Sequence, residues 1–318
     1  MQALRILGLL AMLGALAVLP FVAASHIVYL VALIGSTSII VAGLSVVIGH
    51  SGQISIAQAS FAALGAYGTA QLANMAGVPH WIGLPAVSLG TALVGYLFGL
   101  LSLRVADHYL ALTTMALCAI VQLLLVHLEG WTGGAVGLPV PPLALGGRIL
   151  TRPVELYAVI VPLAVATAWF LYALQGSRTG RAFAAPRMSE VGAAAVGIPV
   201  LRYKALAFGI SAFLGALGGG LFALQTTYLD PAQFGILESV RLIAIAVIGG
   251  LLNPLGPAIG AAVFVLLPET MGALGRSMGL VFSLLLIAFI ILAPGGLAGL
   301  AGRIRLNLAR RRAEGSRR

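Results

Sequence analysis

Residues 176–204 read GSRTGRAFAAPRMSEVGAAAVGIPVLRYK, and residues 205–225, which follow directly, read ALAFGISAFLGALGGGLFALQ. The second stretch has no charged residue, whereas the first holds five of the chain's 18 basic residues: Arg178, Arg181, Arg187, Arg202 and Lys204. An uncharged apolar run of about 20 residues is long enough to cross a bilayer as a helix. This boundary therefore predicts a membrane protein whose basic segment lies outside the lipid.

The rest of the chain extends this interpretation. It has 318 residues, of which 60% are hydrophobic and 8% charged, and a mean hydropathy of +1.08, which excludes an ordinary soluble domain. Ten stretches are candidates for membrane helices: 4–22, 27–48, 53–73, 81–103, 108–127, 153–174, 205–225, 238–252, 256–270 and 280–293. We expect an all-α polytopic integral membrane protein of about ten helices, forming a single domain over residues 1–318.

The distribution of basic residues predicts the orientation. Short cytoplasmic loops are enriched in Lys and Arg, which places on the cytoplasmic side Arg5, Arg104, residues 176–204 and the basic tail 303–318. The opposite side keeps Arg148, Arg152 and Arg276, and also Arg241 if it lies near a helix end. Both termini are then cytoplasmic. The first stretch is weakly compatible with a cleaved signal peptide, but an even number of helices favours its retention.

The net charge of +10 is explained by this topology and by contact with anionic lipid. No basic stripe with interleaved aromatic residues indicates a nucleic-acid partner.

Most enzymatic chemistry is excluded by composition. A P-loop needs a lysine after its glycines, and the only lysine, Lys204, lies in Arg-Tyr-Lys-Ala. Any ATP hydrolysis therefore belongs to another polypeptide. The five histidines are far apart and Cys118 is the only cysteine, so we expect no metal site and no cofactor in this chain.

Two polar or glycine-rich interruptions predict discontinuous helices. VVIGHSGQISIAQASFAALGAYG begins at Val46 and IAVIGGLLNPLGPAIGAAVFV begins at Ile245. Paired interruptions of this kind mark transport pathways, and the candidate pathway residues are Gly52, Gln53, Ser55, Gln58, Gly249 and Gly250. Close helix packing by small residues and a buried structural cluster of polar groups are the alternatives.

Two other functional classes stay open. Gly49-His50-Ser51-Gly52 and the spacing His127-x-x-Gly130-x-x-x-Gly134 match motifs of rhomboid-like intramembrane serine proteases, although the predicted topology separates Ser51 from His127 in depth. A secondary transporter driven by protons needs ionisable groups within helices. Such groups are few, namely Glu238, Arg241 and Glu269. Arg241 is expected to pair with Glu238, and contact with an anionic substrate is the alternative.

Four blocks, in order, carry a family resemblance. They are Gly49-x-x-Gly52-Gln53-x-Ser55 with Gly65-Ala66-Tyr67; Asp107-x-Tyr109-Leu110-Ala111-Leu112 with Thr132-Gly133-Gly134; Gly180-Arg181-Ala182 through Arg202-Tyr203-Lys204; and Tyr228-x-x-Pro231 with Val247-Ile248-Gly249-Gly250. Together these blocks resemble the permeases of bacterial branched-chain amino-acid ABC importers, of the LivM type.

The resemblance implies that residues 176–204, hereafter the coupling segment, dock on a cytoplasmic ATPase. The implied coupling residues are Arg181, Arg187, Glu190, Ala193 and Gly197. A short helix from Glu190, ended by Gly197 and Pro199, suits a groove in a soluble partner. The chain differs from the family pattern at Ala184, Pro186, Met188 and Ala194, so we expect a less charged ATPase surface.

The resemblance also implies the partners and the cargo. The partners are a homologous LivH-type permease, two ATPase subunits that bind ATP and magnesium, a periplasmic amino-acid-binding protein and membrane lipid. The implied substrates are aliphatic, branched-chain amino acids, with urea or short amides as the nearest alternative.

Overall fold

The computed structural model describes residues 14, 16, 18–102, 107–145, 148–150, 152–270 and 296–297. The helices are α1 (Ser25–Leu44), α2 (Gln58–Ala76), α3 (His80–Ser102), α4 (Asp107–His127), α5 (Glu129–Thr132), α6 (Pro153–Gly176), α7 (Arg178–Met188), α8 (Glu190–Ala195), α9 (Val200–Thr226), α10 (Ile236–Gly249) and α11 (Gly256–Thr270). The strands are β1 (Leu138–Pro139), β2 (Leu143–Leu145), β3 (Arg148–Leu150) and β4 (Tyr228–Leu229).

The expected all-α, polytopic architecture is confirmed. Among the described residues, five helical stretches are long and apolar enough to cross a membrane: Ser25–His50, His80–Leu101, Tyr109–His127, Pro153–Gly176 and Val200–Thr226. The candidate stretches 4–22 and 280–293, the tail 303–318, and Arg5, Arg104 and Arg276 lie wholly or largely outside the described residues.

Helix α9 forms the centre of the bundle and packs against α1, α2 and α3. Its glycines allow this close packing. A methyl group on Gly219 would collide with the backbone of Ala62 in α2, and one on Gly65 in α2 would collide with the backbone of Ala216 in α9. Small residues let two helix backbones approach each other closely in a membrane, so these glycines have a packing role.

Several membrane segments are interrupted, as expected. Helix α1 continues into a single π-helical stretch, Ser45–His50, after which residues 52–57 have no helical structure. The predicted helix over 53–73 therefore begins later, at Gln58. Gly52 adopts a left-handed conformation, with φ of +73°, which turns the chain back toward the bundle. Helices α10 and α11 have only 14 and 15 residues, too few to span a bilayer singly.

The two ends of the bundle differ. The coupling segment lies at one end, hereafter the basic end, together with the π-helical stretch. The loop over residues 128–152 lies at the opposite end, where β1 pairs antiparallel with β4 and β2 pairs with β3. The Tyr228 hydroxyl donates to the carbonyl of Val136, and the Asn74 amide donates to the carbonyl of Pro139 at 3.1 Å. These contacts make the loop a compact cover on the ends of α2 and α9.

Candidate functional site

Two irregular segments enter the bundle from its opposite ends and lead into helices that meet halfway. Residues 52–57 lead from the basic end into α2, and residues 227–235, which include a 3-10 turn at Pro231–Phe234, lead from the other end into α10. The backbone amide of Ala59 donates to the Ser239 hydroxyl at 3.1 Å, so the first turn of α2 contacts the first turn of α10. Ser239 also lies 3.5 Å from the sulfur of Cys118, the midpoint of α4. We call this meeting point the mid-bundle junction.

The junction differs from the pairing that the sequence suggests, in which the interruption after Val46 corresponds to the one after Ile245. In the structure, the first turn of α2 contacts the first turn of α10, which follows residues 227–235. Gly249 and Gly250 lie instead at the end of α10, at the basic end, where the Leu251 carbonyl contacts Gly49. The predicted pathway residues therefore lie at two depths.

Gln58 is buried and is bonded by its own chain. Its side-chain amide donates to the carbonyl of Ile40 at 2.7 Å, and its carbonyl oxygen accepts from the Ser211 hydroxyl at 2.8 Å. These bonds join α2 to α1 and α9. Because the polar atoms of Gln58 have protein partners, the geometry favours a structural role for this residue over direct contact with a solute. Ser55 is also buried.

Gly52 and Gln53 lie at the basic end, directly against the coupling segment. The guanidinium of Arg187 donates to the carbonyl of Gly49 at 2.6 Å, and its side-chain stem covers Gly52. The Gln53 amide donates to the Ser51 hydroxyl and to the carbonyl of Lys204 at 3.3 Å. One part of the predicted pathway and one part of the predicted coupling site are therefore a single contact region.

Within the coupling segment, Glu190 pairs with Lys204 at the start of α9. The Lys204 side chain is nearly buried, and the Glu190 side chain is 45% exposed. Arg181 donates to the Gly176 carbonyl at the end of α6, at 3.0 Å. Ala193 is buried. Arg187 therefore joins the segment to the π-helical stretch, whereas Arg181 and Glu190 join α7 and α8 to the end of α6 and the start of α9.

Helix α8 forms as expected, for identifiable reasons. The Ser189 hydroxyl accepts from the amide of Gly192 at 3.1 Å, which caps the start of the helix. Gly197 has a φ of +80°, and the amide of Ile198 donates to the carbonyl of Ala193 at 3.0 Å. This is a Schellman ending, which a left-handed glycine permits. Gly197 therefore ends the helix.

Three large apolar residues are exposed beside the charged residues of the coupling segment. Met188, Val191 and Val196 are 89%, 83% and 74% exposed, and Arg181 and Glu190 are exposed as well. Met188 departs from the family pattern, and the two valines are not among the predicted coupling residues. The available signal was their position: three large apolar residues in a segment that is outside the membrane and otherwise polar or small.

A Ser–His protease dyad is incompatible with this geometry. The amide of Ile56 donates to the Thr114 hydroxyl at 3.0 Å, whereas His127 ends the same helix, α4, 13 residues further on. At 1.5 Å per residue that distance is about 20 Å. Ser51 lies at the basic end and His127 at the opposite end, so they cannot exchange a proton directly.

Comparison with known proteins decides the family. Residues 26–294 match the family described as branched-chain amino acid transport system / permease component. The chain belongs to this family. The permease is 30% identical over 279 residues to the LivM permease proteins of the high-affinity branched-chain amino acid transport systems of Salmonella typhimurium and Escherichia coli K12. Each match covers 80% of the permease and 66% of the relative's length.

A second group of relatives is similar over a shorter region. The permease is 34% identical over 184 residues to the autoinducer 2 import system permease protein LsrC of Enterobacter sp. strain 638, which covers 55% of the permease and 50% of that relative. No solved structure matches the permease at a significant level.

Family membership confirms the resemblance of the four sequence blocks. It makes the permease a multi-pass protein of the inner membrane and a transporter component, in a family that is not a class of enzymes. No group of three potential metal ligands occurs among the described residues. The roles assigned to the individual coupling and pathway residues remain predictions.

Proposed function

We propose that this chain is the transmembrane subunit of an ATP-driven importer of branched-chain amino acids. It would pair with a homologous LivH-type permease and receive its substrate from a periplasmic amino-acid-binding protein. Two cytoplasmic ATPase subunits would bind ATP and magnesium, so this chain needs no cofactor of its own. Membership of an ABC permease family supports this assembly in general terms.

One observation carries the proposal: an exposed apolar surface that is tied to the centre of the bundle. Met188, Val191 and Val196 project from the coupling segment. The same segment is held to α9 by the Glu190–Lys204 ion pair and to the π-helical stretch by Arg187. Exposed apolar residues on a polar segment are typical of a protein–protein contact.

These attachments suggest how ATP would move the helices. Closure of the ATPases around ATP would displace the coupling segment. Because the segment is bonded to α9 and to the end of α1, the displacement would tilt those helices at the mid-bundle junction. Two arrangements of the junction would then correspond to outward-open and inward-open states. The binding protein would supply most of the selectivity, so the pathway would bind the solute weakly.

The orientation belongs to the same proposal. The basic end would face the cytoplasm, because the coupling segment holds five basic residues. Both termini would also be cytoplasmic, with the tail 303–318 in contact with anionic lipid. The cover formed by residues 128–152 would then face the binding protein.

The substrate class rests on the relatives. LivM proteins are named for branched-chain amino acid transport, and their match covers more of the chain than the match to LsrC proteins, which are named for autoinducer 2 import. We therefore propose leucine, isoleucine and valine, with urea or short amides as the next class to test. A stand-alone secondary transporter is the competing mechanism.

Uptake of radiolabelled leucine tests the proposal. Cells would express the chain with the permease, ATPase and binding-protein genes that we expect beside its own gene. Val191→Asp should abolish uptake, because it places a charge in the apolar docking surface. Co-purification of the ATPase subunits should be lost in Val191→Asp and retained in Val136→Asp, a matched control at the opposite end, where Val136 is 80% exposed. Uptake by the purified chain without ATPases would overturn the proposal in favour of a secondary transporter.

A further inference from the structure

An ion pair lies on the outward face of the half-helix α10. The Arg241 guanidinium donates to a carboxylate oxygen of Glu238 at 3.3 Å, one helical turn away. The guanidinium carbon also lies 3.8 Å from the centre of the Phe264 ring in α11, a cation–π contact. The pairing of Arg241 with Glu238 was expected from the sequence.

This pair lies near the middle of the membrane rather than at its surface. Ser239, between the two charged residues, contacts Cys118 at the midpoint of α4. Phe264 is also near the middle of its helix, which runs from Gly256 to Thr270. The contact with Phe264 and the bond to Glu238 hold the Arg241 guanidinium at this depth.

The pair is not enclosed by its own chain. The Arg241 side chain is 47% exposed and the Glu238 side chain is 30% exposed. Leu237, about 40° from Arg241 around the helix, is 83% exposed. Charged groups at the centre of a bilayer are costly when they face lipid, and they are found instead toward a water-filled cavity or a partner. The exposed face of α10 therefore belongs on the side away from lipid.

We propose that Glu238 and Arg241 line the translocation pathway and bind the two charged groups of a zwitterionic amino acid. Arg241 would bind the substrate carboxylate, and Glu238 would bind the substrate ammonium group. A guanidinium has five donors and can bind a carboxylate through two of them. Among the residues that the structure describes, Arg241 donates one side-chain hydrogen bond, to Glu238, which leaves donors for a substrate. This inference rests on the proposed function, because it assumes that the cargo is an amino acid.

The geometry explains why binding would be weak and reversible. In the empty pathway the two side chains satisfy each other, so neither charge is left alone at mid-depth. A zwitterionic substrate offers a carboxylate to Arg241 and an ammonium group to Glu238, so two ion pairs form while one is broken. Release restores the Glu238–Arg241 bond. Solutes without both charges, such as urea, lack this exchange and gain less from the site.

Cysteine accessibility tests whether the exposed face of α10 is accessible to water. Cys118 is the only native cysteine and is buried, so a new cysteine is the main reactive thiol of the chain. In the assembled transporter in native membranes, Leu237→Cys should react with a cationic, membrane-impermeant methanethiosulfonate reagent. Leu93→Cys should not react, because Leu93 is an exposed apolar residue near the middle of α3 and on another part of the surface. An unreactive Leu237→Cys would overturn the proposal.

Transport measurements test the contact with substrate. Arg241→Gln and Glu238→Gln should each lower leucine uptake at least tenfold, whereas Glu269→Gln should leave it unchanged. Glu269 is a suitable control because it lies at the end of the bundle opposite the basic end, where its carboxylate oxygen is 2.7 Å from Nε2 of His26. Unchanged uptake in Arg241→Gln would contradict the assigned role.

The two experiments separate this inference from the proposed function. Normal leucine uptake with an unreactive Leu237→Cys would refute the pathway face but leave the importer intact. A reactive Leu237→Cys in a transporter that does not carry leucine or any other amino acid would refute both the amino-acid cargo and the assigned zwitterion site. The labelling uses the native ion pair, so it gives a result even if a glutamine variant fails to assemble.

Discussion

Neutralising Glu190 should loosen the coupling segment without unfolding the helix bundle. The substitution Glu190→Gln keeps the shape of the side chain and removes the charge that pairs with Lys204. A hydrogen bond to a charged group contributes about 1.5–3 kcal/mol. Because Glu190 is 45% exposed, solvent screening should reduce its contribution to about 1 kcal/mol. That free energy corresponds to an approximately fivefold larger detached population of α8.

Hydrogen exchange measures that population directly. In the full chain in lipid nanodiscs, the peptide covering residues 189–198 should exchange about fivefold faster in Glu190→Gln, since its amides exchange when the segment opens. The amides to follow are those of Ala193 and Ile198, which donate to Ser189 and Ala193 at 2.9 and 3.0 Å.

The matched control is Glu155→Gln in the first turn of α6. Glu155 accepts from the Arg152 amide at 3.1 Å, and a glutamine can keep that capping bond. It should leave the exchange of residues 189–198 unchanged. Equal exchange in Glu190→Gln and the unmodified chain would refute the idea that this ion pair fastens the segment.

Four further outcomes follow from the same contacts. Glu190→Arg should abolish ATP-driven uptake while membrane insertion stays normal, because it places a second cation beside the buried Lys204. Unchanged uptake would count against a coupling role for the segment around Glu190. Gly65→Ala should lower the melting temperature in detergent, because overpacking α2 against α9 costs about 1–3 kcal/mol of stability. Gly90→Ala should leave it unchanged, because a methyl group there meets no atom within 4 Å. Equal melting temperatures of the two variants would contradict the close packing of α2 on α9. Gln58→Leu should cost about 1–3 kcal/mol because it leaves buried polar partners unpaired, and an unchanged melting temperature would show that the buried bonds contribute little. Arg187→Ala should lower uptake more than it lowers protein abundance, and a parallel loss of both would indicate a purely structural role.

The architecture was predictable because membrane helices leave a simple signal. Long uncharged runs such as 205–225 can satisfy their backbone groups in lipid only as helices. A polar interruption was also visible, because His50, Ser51, Gln53 and Ser55 lie between apolar runs. The helix predicted over 53–73 nevertheless began five residues before the observed start at Gln58. Gly197 and Pro199 likewise fixed the end of α8.

The directions of side chains were not predictable. Arg187, Glu190 and Ala193 were assigned to an ATPase contact by the family resemblance, but sequence alone does not show which side of a short helix faces the bundle. In the structure Ala193 is buried and Val191 is exposed. The contact of Ala59 with Ser239 was also not predicted, because it depends on packing across the bundle and not on similar sequence motifs.

Crosslinking from the coupling segment tests the central claim most directly. Val191→Cys and Val136→Cys place one exposed thiol at each end of the bundle, on side chains that are 83% and 80% exposed. After treatment of native membranes with a thiol-to-amine crosslinker, mass spectrometry would identify the attached protein. Val191→Cys should yield an adduct with an ATPase subunit that contains a P-loop, and Val136→Cys should yield none. An ATPase adduct at Val136→Cys, or its absence at Val191→Cys in a membrane that takes up leucine, would contradict the account.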